Sequence, residues 1–310
     1  MDKLVIATRG SKLALAQAGW VAARLAGLSP GLDVRLEIIK TTGDKILDVP
    51  LAQVGGKGLF VKEIEDALLA GRAGLAVHSM KDVPSDLPPG LLLAAVSQRE
   101  DPRDVLVSRR GLGLETVPEG GRVGTSSLRR QAQLLALRPD LNMVTLRGNV
   151  ETRLRKLESE NLDAVVLAAA GLNRLGLSEV KAHHLETSLL LPAVGQGALG
   201  LECRAEDAPL RALLAGLNHP PTAAAVAAER GFLARLEGGC QVPIAGHAVV
   251  EKGIVLFKGL VASLDGRQVV RGQGLASPAE AAAMGARVAE EVLAAGGREI
   301  LAQVYGEAPA

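Results

Sequence analysis

Cys240 stands in the run Leu236-Glu237-Gly238-Gly239-Cys240-Gln241-Val242-Pro243, a thiol on a glycine-rich loop. Glycine has no Cβ, so a bulky group can approach the sulfur closely, and an exposed loop leaves the thiolate able to attack an electrophile. Taken alone, the same residue also fits the ordinary role of a small buried hydrophobe. Cys203, after Leu199-Gly200-Leu201-Glu202, is given that second role. The remaining chemistry belongs to hydroxyls, guanidiniums and one carboxylate. Val5-Ile6-Ala7-Thr8-Arg9-Gly10-Ser11-Lys12-Leu13 and Val123-Gly124-Thr125-Ser126-Ser127-Leu128-Arg129-Arg130 share one design, with Ser, Thr and Arg where a strand turns into a helix. There the unpaired backbone N–H groups and the positive end of the helix dipole favour an anion. Arginine adds a planar fork that matches a carboxylate. Either segment alone fits plain helix capping beside solvated arginines; together, in two α/β units, they point to a cleft between domains.

Leu146-Arg147-Gly148-Asn149-Val150-Glu151-Thr152-Arg153-Leu154 repeats the idea, with Arg147 leaving a strand end and Arg153 and Lys156 on one side of the following helix. Exposed surface charges would show the same spacing. Ala76-Val77-His78-Ser79-Met80-Lys81-Asp82-Val83-Pro84 places a polar group at the end of an apolar strand, where α/β folds bind ligands. Asp82, beside a carboxylate-binding Lys81, offers a group that stabilises a cation or relays protons; the alternative is an exposed turn pair. His78 lies close to an apolar strand and is read as structural. Gly55-Gly56-Lys57-Gly58 lacks the GxxxxGK[ST] spacing of a nucleotide loop. With Phe60 behind it, the segment suits a lid.

These residues need elements to position them. In the first two-thirds of the 310 residues, short apolar runs alternate with helical patterns: Leu4 to Ala7, a helix over Leu13 to Leu25, Val34 to Ile39, Leu59 to Leu69 and Leu75 to His78. The pattern resumes with Val105 to Val107, Arg122 to Gly124, a helix from Leu128, Met143 to Leu146, a helix from Val150, and Ala164 to Ala168. Such alternation implies parallel sheets. Gln98-Arg99-Glu100-Asp101-Pro102-Arg103-Asp104 lacks an apolar face, and Pro192-Ala193-Val194-Gly195-Gln196-Gly197 is punctuated by Gly and Pro, so both are read as crossings between two α/β domains. After Asn218-His219-Pro220-Pro221 the spacing predicts a helix capped by Thr222 and reaching Leu236, then strands over Ile254 to Leu260 and Gln268 to Val270 around an Asp265-Gly266 turn. Ser277-Pro278-Ala279-Glu280 is a capping-box start for a last helix ending near Gly296-Gly297. The predicted division is 1–98 plus 198–217, 103–192, and a small α+β domain over 220–310.

Composition narrows the function. Hydrophobic residues are 48% but aromatics only 2%, so the cores are built from aliphatic side chains. The net charge of +1 conceals Arg122, Arg129, Arg130, Arg138, Arg147, Arg153, Arg155 and Lys156 in one stretch with only Asp140 and Glu151. A concentrated basic patch on a near-neutral chain suits a discrete anion better than a long polyanion. The start Met1-Asp2-Lys3-Leu4-Val5-Ile6 is not a signal sequence, and no window reaches the ~18 apolar residues of a membrane span, so a soluble cytoplasmic protein is expected. Two cysteines without metal spacing imply neither a disulfide framework nor a metal site.

In order, Ile6-Ala7-Thr8-Arg9, Gly55-Gly56-Lys57-Gly58-Leu59-Phe60, His78-Ser79-Met80-Lys81-Asp82, Gly124-Thr125-Ser126-Ser127-Leu128-Arg129-Arg130, Arg147-Gly148-Asn149 and Glu237-Gly238-Gly239-Cys240 closely resemble the porphobilinogen deaminase (hydroxymethylbilane synthase) family. The resemblance runs from about Leu4 to the C-terminal helix. Gln53 stands where many bacterial members have Lys, which puts a lid contact in doubt; Gly10 and Glu151 fall at variable positions. The resemblance implies two periplasmic-binding-protein-like α/β domains forming a clamshell, plus a small α+β domain with a three-stranded antiparallel sheet that carries the cofactor. It implies a transferase of haem and tetrapyrrole biosynthesis that condenses four porphobilinogen units, each losing ammonia, on a dipyrromethane held by a thioether to Cys240, before water releases hydroxymethylbilane. By motif position Lys81, Asp82, Thr125, Ser127, Arg129 and Arg130 hold the cofactor, while Arg9, Ser11, Phe60, Arg147, Arg153 and Arg174 meet the substrate or growing chain. Asp82 is the expected catalytic group. A monomer acting without nucleic acid or membrane is also implied. Each pyrrole bears two carboxylates, which matches the arginine-rich helix starts. Two other readings use the same residues: an anion-binding protein that only captures its ligand, which gives Cys240 no task, and a nucleic-acid binder, which the scarcity of aromatics disfavours.

Overall fold

The computed structural model describes residues 1–45, 61–109, 111, 113–237 and 242–306. The chain divides into two compact units, Met1–Glu100 with Gly197–Ala223, and Asp101–Gln196 with Ala224–Ala310.

In the first unit, β1 (Lys3–Thr8), β2 (Asp33–Ile38), β3 (Leu75–Ser79), β4 (Leu91–Val96) and β10 (Leu199–Arg204) form one sheet in the order β2-β1-β3-β10-β4. Period-two alternation sorts β1 between two cores. Leu4 and Ile6 pack with Ala18, Val21 and Leu25 of the Lys12–Leu28 helix and with Leu210 and Leu214 of the Ala208–Ala215 helix. On the other side, Ala7 and Ala76 meet Ile64 and Leu68 of the Lys62–Leu69 helix.

The second unit contains β5 (Asp104–Ser108), β6 (Arg122–Gly124), β7 (Asn142–Val144), β8 (Ala164–Ala168) and β9 (Ala182–Leu185) in the order β7-β6-β8-β5-β9. Alternation again divides a strand. Ala164 and Val166 of β8 join Leu134 of the Leu128–Leu137 helix, whereas Val165 and Leu167 join Leu157 of the Val150–Ser159 helix.

The two orders are the same pattern. In the first, β2 lies outside β1, β3 pairs parallel with β1, and one strand separates β3 from β4; in the second, β7 lies outside β6, β8 pairs parallel with β6, and one strand separates β8 from β9. That strand is β10 in the first unit and β5 in the second, each antiparallel to both neighbours. Strand-helix alternation alone predicts parallel sheets, and these two strands are the correction. Each follows a point where the chain passes between units rather than a helix of its own sheet, so no βαβ handedness constrains its direction.

The second unit also holds an antiparallel sheet, β11 (Ile244–Glu251), β12 (Ile254–Ala262) and β13 (Val269–Ala276). Helices Pro220–Arg235, Ala281–Val292 and Arg298–Tyr305 supply its core, where the Phe232 and Phe257 rings lie 5.1 Å apart. Gly285 lets the first two helices touch, since a Cβ there would lie 2.0 Å from the Ala228 carbonyl oxygen. The first of them begins at Pro220, two residues before the expected cap, because proline fits a first turn whose N–H groups lack partners. His219 Nδ1 accepts from the Thr222 N–H at 3.3 Å. Ser277 Oγ does reach Glu280 Oε2 at 2.8 Å, but a 3₁₀ turn precedes the helix there. Gly296, at φ 107°, marks a kink, after which the chain is helical again from Arg298. No described helix is long and apolar enough to cross a membrane.

Candidate functional site

In the first unit, β1 and β3 are adjacent and parallel, so their carboxyl ends share one edge of the sheet. Arg9 and Ser11 follow β1; Lys81 and Asp82 follow β3 within the Met80–Asp82 3₁₀ turn. Ser11 caps the Lys12–Leu28 helix, its Oγ accepting from the Ala14 N–H at 3.2 Å. Gln17 Nε2 donates to Ser79 Oγ at 2.9 Å, tying that helix to the end of β3. Buried Met80 anchors the turn, its N–H donating to the Ala198 carbonyl at 3.0 Å, while Lys81 and Asp82 are half-buried. Beneath the turn, His78 Nε2 lies 2.7 Å from Glu202 Oε2 with both side chains buried, the structural part expected of His78. Burial, reinforced by the charge of Glu202, pushes the Glu65 carboxyl up to about 7.

In the second unit, β6, β7 and β8 run parallel and bring three strand ends to one edge. Thr125 through Arg130 follow β6, Arg147 follows β7, and Arg174 ends the Ala169–Arg174 helix after β8. Ser127 caps the Leu128–Leu137 helix, accepting from the Arg130 N–H at 3.5 Å. Buried Thr125 accepts from the Ser127 N–H at 3.2 Å. The capping alternative is therefore realised for both serines, yet a hydroxyl that accepts in a cap retains its own hydrogen to donate.

Arg129 and Arg130 are not solvated. Both are buried and meet across Asp104, which is 0% exposed. Arg129 Nη1 donates to Asp104 Oδ2 at 2.7 Å and to the Leu191 carbonyl at 2.7 Å. Arg130 donates to Asp104 Oδ1 from Nε at 3.0 Å and Nη2 at 2.7 Å, and from Nη1 to the Val166 carbonyl at 2.9 Å. Gln196 Nε2 adds a donor to Asp104 Oδ1 at 3.0 Å. Burial acts to raise the Asp104 carboxyl, but the charges of Arg129 and Arg130 outweigh it and hold the group well below the usual carboxylate range. Among the described residues the buried Nε–H of Arg129 has no partner.

Arg153 turns back to its helix start, donating from Nε to the Gly148 carbonyl at 2.8 Å and from Nη2 to Ser126 Oγ at 3.4 Å. The structure thereby joins the segments after β6 and β7. Other members of the basic stretch have structural partners. Arg122 binds the Glu160 and Asn161 carbonyls, Arg138 binds Asp140 with the Leu114 and Val117 carbonyls, and Lys156 pairs with Glu160 at 2.9 Å. Asp104 and Gln196, absent from the sequence-based candidates, are the principal additions. Their signal in the sequence is a place in the two crossing segments, 98–104 and 192–197. Cys203 is buried, with its thiol pushed by burial up to about 11. Cys240, Phe60, Gln53 and the Gly55-Gly56-Lys57-Gly58 segment lie outside the described residues. The flanks of the cysteine loop, Leu236 and Val242, are both buried in the core around Phe232.

Fold and site define an α/β protein that presents hydroxyls and arginines at the carboxyl ends of parallel strands, a class suited to a carboxylate-bearing small molecule. The family comparisons specify it further. Residues 4–212 match the model described as porphobilinogen deaminase, dipyromethane cofactor binding domain, and residues 223–294 match that described as porphobilinogen deaminase, C-terminal domain. The chain is 58% identical over 303 residues to the porphobilinogen deaminase of Trichlorobacter lovleyi, covering 98% of this chain and 97% of that one. It is 58% identical over 315 residues to the enzyme of Nitratidesulfovibrio vulgaris, covering 100% and 99%. The chain belongs to the porphobilinogen deaminase family: it is a transferase of tetrapyrrole biosynthesis that acts on porphobilinogen and uses a dipyrromethane cofactor. Among solved structures it aligns with the aliphatic sulphonate binding protein SsuA of Escherichia coli at 12% identity and TM-score 0.42, covering 76% of this chain and 71% of that one. It also aligns with the probable amino-acid ABC transporter binding protein YtmK of Bacillus subtilis, at 11% identity and TM-score 0.43, covering 69% and 89%.

Proposed function

We propose that Cys240 carries the dipyrromethane through a thioether and that Asp82 is the catalytic carboxylate. The observation that carries the cofactor side of this reading is the buried Nε–H of Arg129, without a partner among the described residues, beside two guanidiniums that share one carboxylate. One carboxylate of a pyrrole acetate or propionate would satisfy both the unpaired donor and the excess charge, so the residues present fit the group. Thr125, Ser127, Arg129, Arg130, Lys81 and Asp82 are the residues that would hold it. When bound, the dipyrromethane supplies the nucleophilic pyrrole carbon to which the first substrate unit adds.

Asp82 stabilises the cation formed as porphobilinogen sheds ammonia. A carboxylate ~4 Å from a unit positive charge gains about 4 kcal/mol at an effective dielectric near 20, worth about a thousandfold in rate where it acts mainly in the transition state. Arg9, Ser11, Phe60, Arg147, Arg153 and Arg174 receive the carboxylates or ring faces of incoming and added units. Residues 220–310 form a third, cofactor-carrying domain, with 1–98 plus 198–217 and 103–192 as the other two; the separate core around Phe232 supports this division. The protein acts as a cytoplasmic monomer without nucleic acid. Support for the last point is that Arg122, Arg129, Arg130 and Arg138 bind the protein's own carbonyls and carboxylates. The test is the intact mass of purified, active protein followed by peptide mapping: a dipyrromethane adduct on the Cys240 peptide is expected, and a bare Cys240 thiol in active protein rejects the reading.

A further inference from the structure

We infer that Asp104 is a positioning residue of this site, fixing through two guanidinium groups the edge of Arg129 that remains for a ligand carboxylate. The inference rests on the proposed role of Arg129 in holding the cofactor. Asp104 Oδ2 and the Leu191 carbonyl both accept from Arg129 Nη1, each at 2.7 Å. A guanidinium is planar, so holding Nη1 from two directions fixes the plane and the direction in which Nε–H points. That hydrogen is buried and has no partner among the described residues. Asp104 Oδ1 meanwhile accepts from Arg130 Nε and Nη2 and from Gln196 Nε2.

Both stretches at which the chain enters and leaves the second unit join this network. Gln196 Nε2 also donates to the Pro102 carbonyl at 2.7 Å. Gln133, on the same helix as Arg129, donates to the Leu191 carbonyl at 3.0 Å and accepts from the Leu191 N–H at 2.8 Å. One buried carboxylate between two buried guanidiniums leaves a positive charge over, and in a dry interior an unbalanced charge is unfavourable until a counter-charge arrives. Asp104 thus does two things for an acidic ligand: it holds both arginines in place, and by neutralising only one of them it leaves the other to the ligand.

Asp104→Asn alone leaves both guanidiniums unbalanced and can fail to fold, so the decisive comparison is Asp104→Asn/Arg130→Met against Arg130→Met. The pair keeps the net buried charge of the wild type, whereas Arg130→Met alone leaves Asp104 to neutralise Arg129; charge therefore favours the pair for an acidic ligand, and only lost orientation can place it below Arg130→Met. The readouts are the unfolding midpoint, the share of purified protein carrying the Cys240 adduct, and kcat and KM for porphobilinogen. With orientation by Asp104 lost, the paired variant is expected to fold but to fall about tenfold below Arg130→Met in adduct occupancy or kcat/KM, the scale on which loss of an orienting partner is felt at other buried sites. Equal occupancy and kinetics in the two overturn the inference. So does failure of either variant to fold, which places Asp104 and Arg130 in the fold rather than in the site. Arg129→Met separates the two levels. Normal occupancy and turnover there remove the role of Arg129 and the inference with it; loss there, with the paired variant matching Arg130→Met, removes the inference alone.

Discussion

Asp82 and Glu65 are carboxyls of the same unit with different surroundings, and they call for different experiments. Asp82 sits half-buried on a turn anchored by buried Met80. Asp82→Asn conserves its shape and removes its charge, so the Cys240 adduct should persist while turnover falls about a thousandfold; near-normal turnover by single-turnover assay excludes the proposed role. Arg147→Ala should stall elongation, so that enzyme-bound intermediates separated by mass shift towards shorter chains; an unchanged distribution counts against Arg147 as a ligand of the growing chain. Glu65 is a matter of stability. Its carboxyl is raised to about 7 from an ordinary 4.5, so the folded state holds a proton that the unfolded chain releases. The resulting stabilisation is complete below pH 4.5, declines as pH rises, and is gone above about 7. Glu65→Gln keeps a neutral side chain at every pH, so its unfolding midpoint should gain on wild type between those values; a difference independent of pH would rule out titration of Glu65 as the cause. Asp104 has the opposite sign, its ionised pairing being retained until well below pH 3.8.

At the scale of the elements, the site depends on short turns between strands and helices, and Gly148 is the most constrained of them. Its φ is 118°, and a Cβ there would lie 2.6 Å from Thr152 Cγ2. Gly148→Ala should therefore cost about 1–3 kcal/mol in chemical denaturation and displace the Arg153 side chain that bonds to the Gly148 carbonyl. Phe232→Ala, in the core that also buries both flanks of the cysteine loop, should cost about 3–5 kcal/mol by the same measurement. These elements were unevenly legible in the sequence. The β1 and β6 runs and the helices after them stand out because apolar periodicity and Ser caps coincide there. The continuous apolar run Leu91–Val96 has no period, and Leu199–Arg204 includes a Gly and a buried Glu, so β4 and β10 escaped notice. Much the same holds for the site. Hydroxyl and arginine motifs are visible as strings, but the partner of Arg129 and Arg130 lies about 25 residues away in a segment that reads as a linker. Sequence spacing could show that two arginines stand together. It could not show that a buried carboxylate already neutralises one of them.

Over the whole molecule, the repeated strand order gives each five-stranded sheet one antiparallel member, and in the first unit that member comes late. Strand β10 pairs with β3 on one side and β4 on the other, so without it the sheet separates into β2-β1-β3 and an isolated β4. A fragment ending at Glu100 should lack cooperative unfolding and bind hydrophobic dyes, while a peptide spanning 197–223 supplied in trans should restore a sigmoidal melt. Cooperative folding of the fragment alone would refute this. The loss would be substantial, because Leu199, Leu201 and Cys203 of β10, with Leu210 and Leu214 just beyond, lie in the same buried cluster as Leu4 and Ile6. On a ribosome, the first hundred residues then emerge as an unfinished sheet, with the edges of β3 and β4 open around the missing strand, and must wait through the synthesis of about another hundred. Their protection during that interval, by a chaperone or by fast elongation, is a demand that the strand order places on the cell.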